Sequence, residues 1–266
     1  PVFVEPDAYH CIDTTKIEAA ITEKTKAILP VHLYGQACDM DAICAIAEKH
    51  GLYVIEDCAQ SHGTLYKGKQ AGVFGDIGCF SFYPTKPCGA LGDGGALVTA
   101  DEALAAKLRM MRNYGSAKKY VNEFSGVNSR LDEVQAAVLQ VSLKHLEEGN
   151  ACRKAIAERY LQEIRCEAVE LPATRAGADH VFHVFPLLCD NRDAMQKHLL
   201  DCGVQTLSHY PIPPHLQQCY AHLGHREGSY PISEDYARRE LSLPIYNGLT
   251  MEDVTRIVEA VNSYGK

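Results

Sequence analysis

The stretch Val54-Ile-Glu-Asp-Cys-Ala-Gln-Ser-His62, followed by Gly78-Cys-Phe-Ser-Phe-Tyr-Pro-Thr-Lys86, decides how this chain is read. Each half opens on strand-type residues and ends on reactive ones: Asp57 closes the first run, and Lys86 lies just past the second. Upstream, Lys26–His32 is a near-continuous apolar run, the pattern of a strand covered on both faces. Asp39 then caps a helix with Ile43, Ile46 and Ala47 on one face, ending near Gly51. An earlier helix opens on the capping box Thr15-Lys-Ile-Glu18 and runs through Ile21. Further strands are predicted at Val2–Val4, Tyr53–Glu56, Cys79–Tyr83 and Ala96–Thr99. Strands separated by helices predict parallel βαβ units with right-handed crossovers. Ligands of such sheets bind beyond the carboxyl ends of the strands, where Asp57 and the stretch after Tyr83 fall.

The second half begins with a long helix. Leu131, Val134, Val138 and Val141 follow the spacing of a buried stripe, and the helical pattern continues to about Ile164, with a break near Gly149-Asn150. An α+β pattern follows: strands near Glu167–Leu171 and Val181–Leu188, a helix at Asp193–Cys202, and a Pro-rich connection Tyr210–Pro214. Two closing helices complete it, the last opened by Thr250-Met-Glu-Asp253. The expected organisation is a large α/β domain over residues 1–150 and a smaller C-terminal α+β domain over 151–266.

Composition narrows the function classes. With 266 residues, 46% hydrophobic and 23% charged, the chain is neither disordered nor fibrous. A net charge of −8 argues against a general nucleic-acid or anionic-membrane surface. No apolar run reaches the ~20 residues of a membrane span. The 11 cysteines are odd in number and scattered, which fits reduced thiols in a cytoplasmic protein better than a disulfide framework. Pro1-Val-Phe-Val-Glu5 reads as a strand already in progress, so the expectation is a piece lacking an opening section.

Lys86 and Asp57 suggest a chemistry. A nucleophilic lysine needs a carbonyl partner, and an electron-sink cofactor needs an acid facing its ring nitrogen. The same spacing also fits a surface lysine in a loop and an aspartate capping the next segment, and spacing alone leaves both open. Other candidates carry less. His180 and His183 are three apart on a predicted strand, hence on opposite faces, and no His-Glu-x-x-His occurs, so no metal centre is expected. His32 and His62 flank the ligand edge but equally suit a packed interior. Gly89-x-x-Gly92-x-Gly94-Gly95 precedes a predicted strand rather than a helix, which is not a dinucleotide fingerprint. Glu147-Glu148 reads as a solvated helix face.

Six ordered motifs go beyond spacing: Pro30-Val-His-Leu-Tyr-Gly-Gln36, Glu56-Asp-Cys-Ala-Gln-Ser-His-Gly63, Phe80-Ser-Phe-Tyr-Pro-Thr-Lys86, Gly92-Asp-Gly-Gly95, Arg112-Asn-Tyr-Gly115 and Asn128-Ser-Arg-Leu-Asp-Glu-Val-Gln-Ala136. With His209-Tyr-Pro-Ile-Pro-Pro-His-Leu-Gln217 and Leu241-Ser-Leu-Pro-Ile-Tyr246, they resemble the DegT/DnrJ/StrS family over essentially the whole chain. The resemblance implies the fold type I architecture of nucleotide-sugar aminotransferases that use pyridoxal 5'-phosphate. Lys86 matches the lysine that bonds the cofactor and then carries a proton. Asp57 matches the carboxylate at the ring nitrogen, Gln60 the residue near the ring oxygen, and Ser81 a hydroxyl on the phosphate. Asn128 matches the residue that reaches a phosphate across a dimer interface, which implies a homodimer with shared active sites. Arg130 is a candidate anion-binding neighbour, with packing or an exposed ion pair as its other reading.

The resemblance further implies amino transfer, with glutamate as donor, to a nucleotide-linked keto-deoxysugar. Thr206-Leu-Ser-His-Tyr-Pro-Ile-Pro-Pro-His-Leu-Gln217 looks most like members acting at the 3-keto position of a deoxythymidine-diphosphate sugar. Tyr210 and His215 would then line the sugar pocket, or belong to a structural turn. Cys58, Cys79 and Cys88 replace Ala, small or Leu residues, and Pro87 stiffens the turn after Lys86. The family's earlier section, which helps to bind the cofactor phosphate, is not matched before Pro1. Lys86 argues against the related dehydrases, which carry histidine there. The rival classes are a non-catalytic regulator of the same fold and a nicotinamide-dependent sugar reductase.

Overall fold

The computed structural model describes residues 1–265. The chain opens with α1 (Thr14–Ala20), β1 (Ala27–Ile28) and α2 (Met40–His50). It continues through β2 (Tyr53–Asp57), a hairpin of β3 (Leu65–Tyr66) and β4 (Lys69–Gln70), then β5 (Ile77–Ser81) and β6 (Gly95–Val98). Next come α3 (Glu102–Met111), a second hairpin of β7 (Ser116–Lys118) and β8 (Val121–Asn122), and the helices α4 (Glu133–Lys144) and α5 (Leu146–Glu163). The remainder is β9 (Val169–Glu170), β10 (Phe185–Cys189), α6 (Arg192–Asp201), α7 (Pro231–Arg239), β11 (Glu240–Leu243) and α8 (Met251–Asn262).

The main sheet has the order β1-β2-β5-β6, with the first three strands parallel. β6 departs from the parallel expectation: it pairs antiparallel with β5, Ser81 opposite Gly95. Residues 82–94 contain no crossover helix, and without one the chain can only fold straight back. A second sheet, β11-β10-β9, is wholly antiparallel. Apolar burial forms two main cores. Ile17, Ile28, Met40, Ile43 and Val54 fill the first, while Phe185, Leu187, Leu241, Met195 and Ile257 fill the second.

Several local expectations are corrected by identifiable interactions. Val2–Val4 is extended without a strand partner among the described residues; Phe3 instead packs into an aromatic cluster with Tyr220 and Tyr230. α1 is capped by Asp13, whose carboxylate accepts from the Thr15 amide and hydroxyl, so Thr15 is not the cap. The ladder of β1 stops at Ile28, because Pro30 has no N–H to give, and resumes only as a bridge from Val31 to Asp57. The long helical connector breaks at His145, not at Gly149-Asn150. Both of those residues sit inside α5 for packing reasons: a Cβ on Gly149 would meet Asn247 at 2.5 Å, and Asn150 Nδ2 donates to the His62 carbonyl at 2.8 Å. The stripe on α4 is not buried within this chain, with Val134 70% and Val141 58% exposed; only Leu139 is enclosed, against Cys88 and Ala90. Finally, no strand covers His180 and His183, since Phe182 adopts a left-handed φ of 48° and its N–H donates to His180 Nδ1.

The main sheet is organised around a buried carboxylate. Glu56 on β2 accepts from the Phe74 and Gly75 amides at 2.7 and 2.8 Å through Oε1, and from Gly72 at 2.7 Å through Oε2. His32 Nε2 lies 3.0 Å from the same Oε2. Its Nδ1 accepts from the Cys38 amide at 3.0 Å, so Nε2 carries the proton and donates to Glu56. The loop can approach β5 this closely only because Gly78 lacks a side chain; a Cβ there would sit 2.2 Å from the Gly72 carbonyl. Burial alone would raise the Glu56 pKa, but His32 and the Gly75 and Gly72 amides more than offset it, leaving it below its ordinary 4.5. A depressed carboxylate pKa contributes stability that is present above pH 4.5 and lost as pH falls through the folded-state value. Denaturant unfolding of Glu56→Ala should therefore show a loss on the order of 3 kcal/mol or more, from stranded buried donors. The stability of Glu56→Gln should depend less steeply on pH than the parent below pH 4.5.

Candidate active site

The alternation of β2 that buries Val54 and Glu56 turns Ile55 and Asp57 to the opposite side. There they line a cavity of about 280 Å³ with Leu29, Ala59, Phe80 and Ser81. Asp57 Oδ1 accepts from the Ala59 amide at 2.9 Å, and Oδ2 has no hydrogen-bond partner among the described residues. Ser81 ends β5, and its Oγ accepts from the Tyr83 amide at 3.3 Å, which leaves the hydroxyl proton free to donate. Lys86 follows in a turn closed by its own N–H on the Tyr83 carbonyl at 2.9 Å. Its side chain is half-buried. Burial lowers its pKa, and the nearby Asp57 carboxylate offsets part of that fall.

Gln60 connects this edge to the later part of the chain. Its Oε1 accepts from the Tyr34 amide at 2.6 Å, and its Nε2 donates to the Tyr210 hydroxyl at 3.3 Å. Tyr34 is held at a left-handed φ of 59°, and its hydroxyl donates to the His209 carbonyl. The structure thus gathers Asp57, Gln60, Ser81, Lys86 and Tyr210 at one sheet edge. Asn128 and Arg130 are not part of that group: both are exposed, with Arg130 Nε donating to Asn128 Oδ1 at 3.1 Å and its guanidinium 5.4 Å from the Tyr114 ring centre. His215 lies elsewhere too. It is buried, its Nε2 is 2.8 Å from Glu234 Oε1, and its ring packs 4.7 Å from that of Tyr230, partners that suit its reading as part of a structural turn.

Of three imidazoles whose titration Lys86 influences, the sequence placed only His62 at the ligand edge. His62 packs against Phe80 and Phe82, and neither ring nitrogen has a partner. Burial, reinforced by the charge of Lys86, pushes its pKa down to about 4. His183 is pushed down to about 3 by burial, then by Arg153 and Lys86. His209 is lowered by the same two influences, burial first and Lys86 second. The Lys86 charge thus favours the neutral form of all three imidazoles. A histidine inside the apolar run Val181-Phe-His-Val-Phe185 was the sequence signal for His183; His209 opens a quoted motif but was given no role there. The donor atoms of His32, Glu56 and Cys58 lie within 4.8 Å of one another, but the imidazole and carboxylate are already saturated by the hydrogen bonds described above. All 11 cysteines are free. Among the described residues, no helix is long and apolar enough to cross a membrane.

Comparison with known proteins gives this geometry its family. The profile of the DegT/DnrJ/EryC1/StrS aminotransferase family matches residues 1–262. The dTDP-3-amino-3,6-dideoxy-alpha-D-galactopyranose transaminase of Aneurinibacillus thermoaerophilus is 52% identical over the whole of this chain and 73% of its own length. The erythromycin biosynthesis sensory transduction protein EryC1 of Saccharopolyspora erythraea is 49% identical over 99% of this chain and 72% of its own. The crystal structure of DesV from S. venezuelae superposes with a TM-score of 0.96 at 47% identity, covering 98% of this chain and 71% of that one. The chain belongs to the DegT/DnrJ/EryC1/StrS family of pyridoxal-phosphate-dependent sugar aminotransferases.

Proposed function

We propose that this protein transfers an amino group from an amino acid, glutamate in the first instance, to a keto group of a nucleotide-linked deoxysugar. Lys86 is assigned as the reactive amine, Asp57, Gln60, Ser81 and Asn128 as cofactor ligands, and Tyr210 as a wall of the sugar pocket. The observation that carries the reading is a cavity lined by Asp57 and by Ser81 with a free hydroxyl, with Lys86 near enough for the Asp57 charge to act on its amine.

The residues present fit pyridoxal phosphate. The cavity is walled by Leu29, Ala59 and Phe80, which suit a flat ring, and offers one carboxylate and one hydroxyl donor. When bound, the cofactor supplies a carbonyl for an amine and a ring that accepts the electrons of a broken C–H bond. Asp57, with Oδ2 unpaired among the described residues, would hold a proton at the ring nitrogen. The second Gln60 N–H, not needed by Tyr210, is available to the ring oxygen. Ser81 Oγ–H would be available to hold a phosphate oxygen. Lys86 Nζ, lowered in basicity by burial, reaches the neutral amine form more readily and takes up and returns a proton at that atom.

The sugar assignment draws on relatives. The transaminase of A. thermoaerophilus is named for a dTDP-3-amino sugar, which supports a 3-keto deoxyhexose on deoxythymidine diphosphate as the acceptor. A regulatory reading, which requires no turnover, is supported by the names of two relatives, the sensory transduction protein EryC1 and a pleiotropic regulatory protein of Geobacillus stearothermophilus. The exposed Val134 and Val141 stripe beside Asn128 supports a homodimer in which each subunit completes its partner's site.

Incubation of the pyridoxal-phosphate-loaded protein with glutamate and 3-keto or 4-keto nucleotide sugars, followed by product identification, tests the reading. Amination at C3 is expected; amination only at C4 overturns the regiochemistry, and no product with any keto sugar favours the regulator. Lys86→Ala should cut product formation about a thousandfold or more, and Asp57→Ala on the order of a hundredfold. Light scattering should give twice the 29.3 kDa chain mass for the parent, and the single mass for a variant carrying both Val134→Glu and Val141→Glu.

A further inference from the structure

Glu240 and Ser242 form a buried hydrogen-bond chain that the chemistry outlined above leaves unused. Both lie on β11, where alternation sends Leu241 and Leu243 into the second core and turns Glu240 and Ser242 to the other face. That face meets the segment Leu207–Tyr210 through a bridge from Leu207 to Ser242. Glu240 and Ser242 are 1% and 5% exposed. Glu240 Oε2 accepts from the His209 amide at 2.5 Å, Oε1 accepts from the Ser242 hydroxyl, and Ser242 Oγ lies 2.8 Å from His209 Nδ1. A buried carboxylate is costly unless it is supplied with donors in this way.

Burial raises the Glu240 pKa from its ordinary 4.5, and the hydrogen bonds from Ser242 and the His209 amide offset part of that rise; with Glu240 as the carboxylate that accepts both, the proton count along this chain has one solution. A hydroxyl has one proton, and Ser242 gives it to Glu240. Toward His209, Ser242 can therefore only accept, so Nδ1 carries the imidazole proton and Nε2 is left as a lone pair on the far side of the ring. The ring is neutral, because burial and then Lys86 lower its pKa. Its backbone is also fixed, by the Tyr34 hydroxyl on the His209 carbonyl. The next residue, Tyr210, is tied to Gln60 at the cavity edge, which places His209 beside the space that Lys86 serves.

We propose that Glu240 and Ser242 are positioning residues that lock His209 as the Nδ1–H tautomer, so that its Nε2 accepts a hydrogen bond from a sugar hydroxyl next to the carbon being aminated. This rests on reading the site as that of a keto-sugar aminotransferase. An acceptor lone pair matches a hydroxyl and disfavours a carbonyl or phosphate oxygen at the same place. Released from Ser242, the ring could turn an N–H to the substrate instead, replacing an acceptor by a donor.

Two readouts on the full chain test this. In ¹⁵N NMR, the His209 signal, identified by its loss in His209→Asn among the 12 histidines, should report the Nδ1–H tautomer in the parent and in Ser242→Thr. Ser242→Ala should shift it toward Nε2–H. In kinetics, Ser242→Ala and His209→Asn should raise KM for the nucleotide sugar about five- to tenfold, with a smaller change in KM for the amino donor. An Nε2–H tautomer in the parent, an unchanged tautomer in Ser242→Ala, or equal effects on both KM values would each overturn the proposal. A loaded parent enzyme that aminates no keto sugar would defeat the site reading and with it the hydroxyl assignment, while the NMR tautomer would still be read independently.

Discussion

The Glu56 carboxylate is the constraint on which the rest of the main sheet depends. It sits where four donors from two segments converge: the amides of Gly72, Phe74 and Gly75, and the imidazole of His32. Each donor has its partner only if β2 keeps its register, and a slip by one residue would exchange Glu56 for Asp57. The strand's two-residue alternation then decides the chemistry: with Glu56 inward, Asp57 must face the cavity between β1 and β5. One buried carboxylate thereby orients a cavity-facing neighbour, which explains why two adjacent acids at a strand end have unlike environments.

The same logic recurs on β11. Leu241 and Leu243 secure the strand in the second core, and Glu240 and Ser242 on its reverse face hold His209. In both places a buried acid is tolerated because backbone amides supply donors, and in both it acts through position rather than through contact with substrate. Polar capacity left over at or near the cavity includes the second oxygen of Asp57, the hydroxyl proton of Ser81 and the amine of Lys86. They are the groups a nucleotide sugar and a cofactor would engage.

Much of this was legible in the sequence, for reasons that can be named. α2 is bounded by Asp39 and Gly51, both of which act by local backbone geometry, and the closing helix by the Thr250 cap. Asp57 and Lys86 lie at strand ends, and strand ends are marked by composition. What stayed hidden depends on contacts distant in sequence. Pro30 shortens β1 visibly only once its partner strand is known. Gly149 and Asn150 look like a helix break, yet Asn247 and His62 make them helical residues. His209 meets its partners 31 and 33 residues away, a distance over which no periodicity speaks. The stripe of Val134 and Val141 was legible as apolar, but apolar spacing does not say whether the covering surface belongs to the same chain.

The account turns on one amine, Lys86, at the carboxyl edge of the sheet beside Asp57. The most direct measurement is borohydride reduction of the protein loaded with pyridoxal phosphate, followed by peptide mass mapping. A single reduced pyridoxyl adduct on Lys86, absent from Lys86→Ala, is the predicted result. Stoichiometric labelling of a different lysine, or no adduct in a protein that nonetheless transaminates, would contradict it.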